Sequence, residues 1–132
     1  MKDKEFSQWN ILKPNIHLKN KKKYFYEKEI WFLSLGINIG DEEDGKGDNF
    51  LRPILIFKKF NPKIFIGISL SSKFKKGKYY YNFISTSEIS TTAILSQIRL
   101  LDAKRLKYKK GKITNKDFLE IKKRLGKILD IF

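Results

Sequence analysis

The sequence predicts a mainly β fold of the α+β type, in which roughly five or six short strands form a small barrel and one helix ends the chain. Short apolar runs rich in β-branched and aromatic residues recur along most of the sequence, bounded by glycine, proline or asparagine. Near the C-terminus the apolar spacing changes to that of a helix. A length of 132 residues, 41% of them hydrophobic, fits one domain with one core.

The expected strands follow one another at short intervals after residue 29. Gly36 and Gly77 mark turns, and Pro53 is tolerated in a strand only at its first position or at an edge. This spacing favours a small barrel over a sheet of βαβ units. We predict strands over residues 30–35, 53–57, 64–70, 79–84 and 91–100.

The C-terminal segment carries one apolar stripe. Thr114 followed by Asp117 approximates a capping box, with Asp in place of the usual Glu. Lys122, Lys123 and Lys127 lie off the stripe, so we predict one amphipathic helix. The stripe consists of Phe118, Ile121, Leu125, Ile128 and Phe132.

Residues 1–28 precede this pattern, and we interpret them as an N-terminal extension to a domain formed by residues 29–132. In the extension, Phe6, Trp9 and Leu12 recur at helical spacing. Pro14 should end or kink any such helix. We expect Trp9 to pack on the barrel.

The net charge of +15 attracts polyanions such as nucleic acids, although a lysine-rich bias of a whole proteome would give the same excess. Cysteine is absent, which removes disulfides and thiolate metal sites, and His17 is the only histidine. The charged N-terminus leads into no apolar signal core, and no apolar run approaches the roughly 18 residues of a membrane span. These features favour the cytoplasm.

Residues 38–49 form a glycine-rich, acidic stretch that cannot build core and is predicted to be a loop. Asp41, Glu42, Glu43 and Asp44 are adjacent within it. Neighbouring acids on one loop cannot converge on a metal ion without ligands from elsewhere. A solvated acidic run is therefore favoured over a metal site.

Arg52 enters one predicted strand, and Ser71 and Ser72 leave the next one. Because these two strands are expected to pair as a hairpin, both ends meet at the same end of the sheet. A guanidinium fork matches a phosphate, and a hydroxyl can donate to another phosphate oxygen. Spacing alone favours the other interpretation, an arginine paired with a loop carboxylate beside two turn serines.

Several stretches together resemble the PemK/MazF toxin family, in order and at compatible spacing over roughly residues 28–132. They match the family's opening strand, its glycine-acidic loop, its Arg-Pro strand, its third strand ending in a hydroxyl residue, and its Gln-Ile-Arg signature. The stretches are Glu29-Ile30-Trp31, Asn38-Ile39-Gly40-Asp41-Glu42-Glu43-Asp44-Gly45, Arg52-Pro53-Ile54-Leu55-Ile56, Ile68-Ser69-Leu70-Ser71-Ser72-Lys73 and the segment from Leu95-Ser96-Gln97-Ile98-Arg99 to Arg105-Leu106.

The resemblance implies an SH3-like β-barrel of the PemK/MazF/CcdB toxin type and cleavage of single-stranded RNA, without metal or cofactor, to arrest translation. The family's catalytic arginine falls on Arg52, and its catalytic hydroxyl residue, commonly threonine, falls on Ser71. The acidic residues 41–44 would form a gating loop, which residues 46–50 lengthen. A homodimer and an acidic antitoxin partner are also implied. The expected RNA-binding residues are Ser72, Lys73, Lys75, Lys76, Lys78 and Gln97.

Three other functions remain open at this point. The chain could be a basic RNA- or DNA-binding barrel without catalysis, a gyrase-directed toxin of the related fold, or a structural dimer without affinity for nucleic acid. Cleavage of RNA, breakage of DNA and salt-dependent binding would separate them.

Overall fold

The computed structural model describes residues 4–131, and this part of the chain contains six strands and two α-helices. A short 3₁₀ turn, Ala103–Arg105, connects the last two strands. The helices are α1 (Phe6–His17) and α2 (Asn115–Ile128). The strands are β1 (Glu29–Ser34), β2 (Leu51–Lys59), β3 (Ile64–Ser71), β4 (Tyr80–Ile84), β5 (Ser90–Asp102) and β6 (Leu106–Lys112).

All six strands belong to one antiparallel sheet in the order β4-β5-β3-β2-β1-β6. Its two edges approach each other, since the amide of Thr86, just after β4, donates to the carbonyl of Lys112 at 2.9 Å. The sheet therefore curls like a barrel, but within residues 4–131 no ladder joins β4 to β6. The predicted mainly β fold class is confirmed.

The sheet buries apolar side chains on both faces. Leu55 and Ile68 belong to the cluster that packs on α2, whereas Ile54 and Ile56 belong to a second cluster on the other face. Successive residues of a strand point to opposite faces, so the continuous apolar run of β2 supplies both clusters. This places β2 in the interior of the sheet, between β1 and β3. Pro53, expected at the first position of a strand or at an edge, is instead the third residue of this interior strand; it pairs with β1, and the register with β3 begins only at Ile54, so its missing N–H interrupts no bond to β3.

The C-terminal helix forms as the sequence predicts. The hydroxyl oxygen of Thr114 accepts a hydrogen bond from the amide of Asp117 at 3.2 Å, which caps the helix. Phe118, Ile121 and Leu125 are buried against the sheet. The predicted cap and stripe are therefore confirmed for the described residues, while Phe132 lies outside them.

Two elements differ from the prediction. Helix α1 does not end at Pro14 but continues to His17, because the amide of Leu18 still donates to the carbonyl of Pro14 at 3.0 Å. Strand β6 was not among the predicted strands, since it is lysine-rich and only Leu106 in it is buried. In the described part of the chain, neither helix is long and apolar enough to cross a membrane.

Candidate active site

Strands β2 and β3 form a hairpin whose register brings Arg52 and Ser71 together. Ile54 pairs with Ser69, and Arg52 and Ser71 each lie two residues beyond this pair, at the same end of the hairpin. Side chains two positions apart on a strand point to the same face of the sheet, so Arg52 and Ser71 share a face. Arg52 and Ser71 also line one open cleft, so both side chains can reach the same small ligand.

The guanidinium of Arg52 is held on three sides. Its Nε donates to the carbonyl of Asp44 at 2.7 Å, and its Nη1 donates to the carbonyl of Leu70 at 3.1 Å. Its Nη2 lies 2.9 Å from a carboxylate oxygen of Glu43. An arginine has five N–H donors, so these contacts fix the plane of the guanidinium without using every donor. The arginine–carboxylate pair that spacing allowed is therefore present, beside Ser71.

The hydroxyl of Ser71 is fixed by the turn that follows β3. Its Oγ accepts a hydrogen bond from the amide of Lys73 at 3.2 Å. The hydroxyl of Thr92, which is paired with Ser71 across β3 and β5, donates to the carbonyl of Lys73 at 2.9 Å. Since a hydroxyl also has one donor, the Ser71 proton can be offered to a ligand in the cleft.

The cleft around these two side chains has a volume of about 530 Å³, and its charged lining residues are mostly cationic. Of the described residues that line it, Glu43 is the only carboxylate and none is a histidine. Polyanions would meet a positive surface here, with one acidic group beside the arginine. Four lysines line the cleft: Lys46, Lys73, Lys75 and Lys110.

One wall of the cleft carries an aromatic pair. Phe32 lines the cleft, and its ring centroid lies 5.0 Å from that of Tyr108 on the neighbouring strand β6. The ammonium of Lys110 lies 5.0 Å from the centroid of Phe32. Phe32 is half-buried, and the part of its ring that faces the cleft is a surface on which an unpaired base can stack.

The acidic loop is closed by its own hydrogen bonds. The carboxylate of Asp44 accepts from the amide of Asn38 at 2.6 Å, and that of Glu42 accepts from the amide of Ile39 at 3.0 Å. These contacts turn the loop back on itself and leave Glu43 directed at the cleft. The loop therefore supplies both an acceptor for Arg52 and the acidic group beside it.

A family model described as the PemK-like, MazF-like toxin of type II toxin-antitoxin systems matches residues 26–129. The chain belongs to this toxin family. The match includes the hairpin with Arg52 and Ser71 and leaves helix α1 outside it. No curated protein matches the sequence at a significant level.

Solved structures with the same fold have low sequence identity to this toxin. An endoribonuclease from a mycobacterial species, in complex with its cognate antitoxin, has a TM-score of 0.65 at 12% identity and is covered to 98%, against 83% of this chain. MazF from Deinococcus radiodurans has a TM-score of 0.64 at 16% identity, with 99% of it and 82% of this chain covered. The Mycobacterium tuberculosis toxin MazF-mt6 has a TM-score of 0.59 at 9% identity, with 96% of it and 77% of this chain covered.

The residues expected to bind RNA in this toxin do not all lie in the cleft. Ser72, Lys73 and Lys75 line it together with Arg52. Lys78 instead lines a separate cleft of about 600 Å³ beside the end of α2. Lys76 follows Lys75 in the same turn but lines neither cleft.

Gln97 holds the acidic loop and does not line the cleft. Its Oε1 accepts from the amide of Glu43 at 3.1 Å, and its Nε2 donates to the carbonyl of Asp41 at 3.1 Å. Asp41, Glu42 and Gln97 line a third cavity, of about 460 Å³, on the other side of the loop. Gln97 therefore fixes the loop that contacts Arg52.

Sequence reasoning missed Phe32, Lys46 and Lys110 as cleft residues. Phe32 belongs to a predicted strand, and its alternation with buried Trp31 was the available signal that it faces the other side. Lys110 reaches the cleft only because β6 pairs with β1, and this long-range pairing leaves no local pattern. Lys46 reaches the cleft from the loop between β1 and β2.

Glu29 and Arg105 lie outside the cleft and have shifted pKa values. Burial raises the pKa of Glu29, but hydrogen bonds from Trp31, Lys109 and the amide of Tyr26 outweigh burial and hold that pKa below its ordinary value. Burial lowers the pKa of Arg105, whose Nη1 donates to the carbonyl of Leu35 at 3.0 Å. Arg105 thus supports the chain where the loop begins.

Proposed function

We propose that this toxin is a metal-independent endoribonuclease that cleaves single-stranded RNA. The observation that supports it is that Arg52 and Ser71 line one cleft, together with four lysines. The family provides the toxin context, and the mycobacterial relative of the same fold is itself described as an endoribonuclease. RNA brings its own nucleophile, the 2′-hydroxyl, so neither a serine nucleophile nor a metal-bound water is required.

The proposed reaction is an internal transfer. The 2′-oxygen attacks the adjacent phosphorus, the bond from phosphorus to the 5′-oxygen breaks, and the products are a 2′,3′-cyclic phosphate and a 5′-hydroxyl. Arg52 stabilises the negative charge that develops on the non-bridging oxygens. Ser71 donates a hydrogen bond to one of them. This division uses the guanidinium donors that Asp44, Leu70 and Glu43 leave free.

Glu43 is our candidate for the group that accepts the 2′-hydroxyl proton. It is the only carboxylate among the described residues that line the cleft, and it lies 2.9 Å from Arg52. General-base catalysis needs a proton acceptor within hydrogen-bond reach of the nucleophile. Water at the open cleft supplies the proton that the 5′-oxygen takes up.

Substrate binding would combine phosphate and base contacts. Lys46, Lys73 and Lys75 contact the backbone on either side of the cleaved phosphate, which makes affinity fall with salt. Phe32 offers a face for an unpaired base, and Lys110 holds a neighbouring phosphate. A duplex offers no free base face, so a single strand is the expected substrate.

We also propose the protein partners of this toxin and its site of action. An acidic antitoxin fits a chain of net charge +15, and the mycobacterial relative is found with its cognate antitoxin. A homodimer and a cytoplasmic site of action complete this proposal. The mass of the protein in solution, measured by light scattering, tests the dimer.

The decisive experiment incubates the purified protein with mixed-sequence RNA in EDTA and maps the cut ends. We expect cuts with 2′,3′-cyclic phosphates that persist in EDTA, and a rate about a thousandfold lower for Arg52→Ala. Arg124→Ala is the matched control, because it removes the same charge from helix α2 and leaves the cleft intact. Tight binding without cuts would instead support a binding module, and broken DNA with intact RNA would support a gyrase-directed toxin.

A further inference from the structure

The ammonium of Lys4 lies against the acidic loop, although Lys4 belongs to the N-terminal extension outside the family match. Its Nζ donates to the carbonyls of Asn38 at 2.6 Å and Gly40 at 3.0 Å, and it lies 3.1 Å from the carboxylate of Asp44. A lysine ammonium has three N–H donors. All three therefore have a partner in one loop, which wraps around a single cation.

Helix α1 docks where this loop begins and ends. Trp9 is 4% exposed and meets Phe50 edge to face, with 5.6 Å between ring centroids. Its ring lies so close to Gly36 that a Cβ there would come within 2.2 Å of it. The carbonyl of Phe50 also accepts from the amide of Gly36 at 3.3 Å, so Trp9 packs on both ends of the loop.

The far end of the helix is also attached to the domain. The ammonium of Lys104 donates to the carbonyl of His17 at 2.8 Å. With Trp9 packed near the start and His17 held at the end, the helix is fixed at both ends. Lys4 lies one residue before the helix cap, so the fixed helix holds it at a defined position beside the loop.

The contact of Lys4 is transmitted to Arg52 through one residue. The carboxylate of Asp44 binds Lys4, and the carbonyl of the same residue accepts from Nε of Arg52 at 2.7 Å. Without the ammonium, this carboxylate would keep its hydrogen bond from the amide of Asn38 but lose its ion pair next to Glu43, and like charges this close repel. The loop would then open and withdraw the acceptor that orients the guanidinium.

We infer that Lys4 is a positioning residue for the proposed nuclease site and that it sets the orientation of Arg52 through Asp44. The inference rests on the proposed function for its catalytic consequence only, since the contact between Lys4 and the loop stands without it. Lys4 and Asp44 are both partly exposed, with side-chain exposures of 22% and 25%. Such a pair contributes little to global stability, so its loss should act locally, on the loop and on Arg52.

The test compares Lys4→Met with Lys13→Met. Methionine keeps the length of the side chain and removes the charge, and Lys13 is an exposed lysine of helix α1, which follows Lys4. The first measurement is the exchange of the Arg52 Nε proton with water by NMR, assigned with the Arg52→Lys variant. Lys4→Met should accelerate this exchange by about tenfold or more, because the Asp44 acceptor becomes mobile, while Lys13→Met should leave it unchanged.

The second measurement is RNA cleavage. Lys4→Met should lower kcat by about tenfold, through misorientation of the guanidinium, with KM within about twofold and an unchanged melting temperature. Unchanged Nε exchange overturns the inference, as does a fall in melting temperature large enough to explain the lost rate. Faster exchange with undiminished kcat also overturns it. A wild-type protein that cuts no RNA refutes the proposed function, and the exchange measurement still decides whether Lys4 orients Arg52.

Discussion

The two walls of the cleft are built in different ways. Arg52 and Ser71 stand on β2 and β3, which are interior strands of the sheet and are paired on both sides. Glu43 stands on a loop that is held mainly by side chains, among them Asn38, Gln97 and Lys4. A backbone ladder fixes positions within the cooperative fold, whereas contacts of partly exposed side chains can open locally.

This difference suggests how the work is divided in the proposed reaction. The sheet wall, which carries Arg52 and Ser71, defines where the phosphate is held. The loop wall, which carries Glu43, brings the proton acceptor and the carbonyl oxygen of Asp44 that orients Arg52. Substitutions on the two walls should therefore have different signatures. Substitutions on the sheet wall remove contacts to the phosphate. Substitutions on the loop wall change proton transfer or the access of RNA to the cleft.

After Arg52→Ala, the largest effect on activity is expected for Glu43→Gln. Glutamine keeps the size of the side chain but cannot accept the 2′-hydroxyl proton, so kcat should fall by about a hundredfold. Removal of a negative charge from a cationic cleft should at the same time lower KM for RNA. Single-turnover cleavage of a defined RNA, with binding measured separately by anisotropy, checks both directions.

Glu42→Gln is the matched control for this variant. Its carboxylate accepts from the amide of Ile39 and lines the cavity on the other side of the loop, so the same charge is removed away from the cleft. We expect less than about a threefold change in kcat for it. Equal losses of rate in the two variants would mean that the loop acts only through its shape, and the assignment of Glu43 as the base would be wrong.

A smaller effect is expected on the sheet wall from Ser71→Ala. Loss of one hydrogen bond to a charged oxygen corresponds to about 1.5–3 kcal/mol, or roughly a ten- to hundredfold lower rate; we expect the lower end because Arg52 remains. Ser71→Thr should keep the activity, since threonine supplies the same hydroxyl with a more restricted rotamer. If Ser71→Thr loses as much rate as Ser71→Ala, the hydroxyl is not the group that matters.

Much of the fold followed from local sequence patterns. The stripe and the cap of α2 were predicted correctly, because a helix records its buried face at fixed spacing. The pairing of β2 with β3 followed from a short turn between two apolar runs, and this places Arg52 and Ser71 at one end of the sheet. Both inferences depend only on neighbours in sequence.

Contacts between distant segments could not be predicted in the same way. The side-chain amide of Gln97 binds backbone groups of a loop more than fifty residues away, and an amide side chain suits RNA equally well. Lys110 enters the cleft through the pairing of β6 with β1. The ammonium of Lys4 could not be assigned either, because a lysine near the N-terminus carries no pattern that identifies carbonyl partners on a loop.

The smallest effect on activity is expected at the end of the sheet opposite the cleft, from Glu29→Gln. Glu29 begins β1, about 13 Å along the strand from Leu33, which pairs with Arg52. Its carboxylate is buried and binds Trp31 at 3.0 Å and Lys109 at 2.9 Å, which fastens β1 to β6. The substitution should lower the free energy of unfolding at pH 7 by about 1–3 kcal/mol and leave cleavage by the folded protein unchanged.

The direction of the Glu29 pKa shift fixes how the stability difference between wild type and Glu29→Gln changes with pH. Because the folded-state pKa of Glu29 lies below the ordinary value of 4.5, its contribution to stability is complete above pH 4.5 and is lost as the pH falls through the folded-state pKa. The difference between wild type and Glu29→Gln in urea unfolding should thus be largest near pH 7 and shrink toward pH 3. A difference that does not shrink would refute the depressed pKa. Lost cleavage in a fully folded variant would show that the cleft depends on contacts at the far end of β1. The strand pairing of Arg52 and Ser71 would then not be enough to hold them in place.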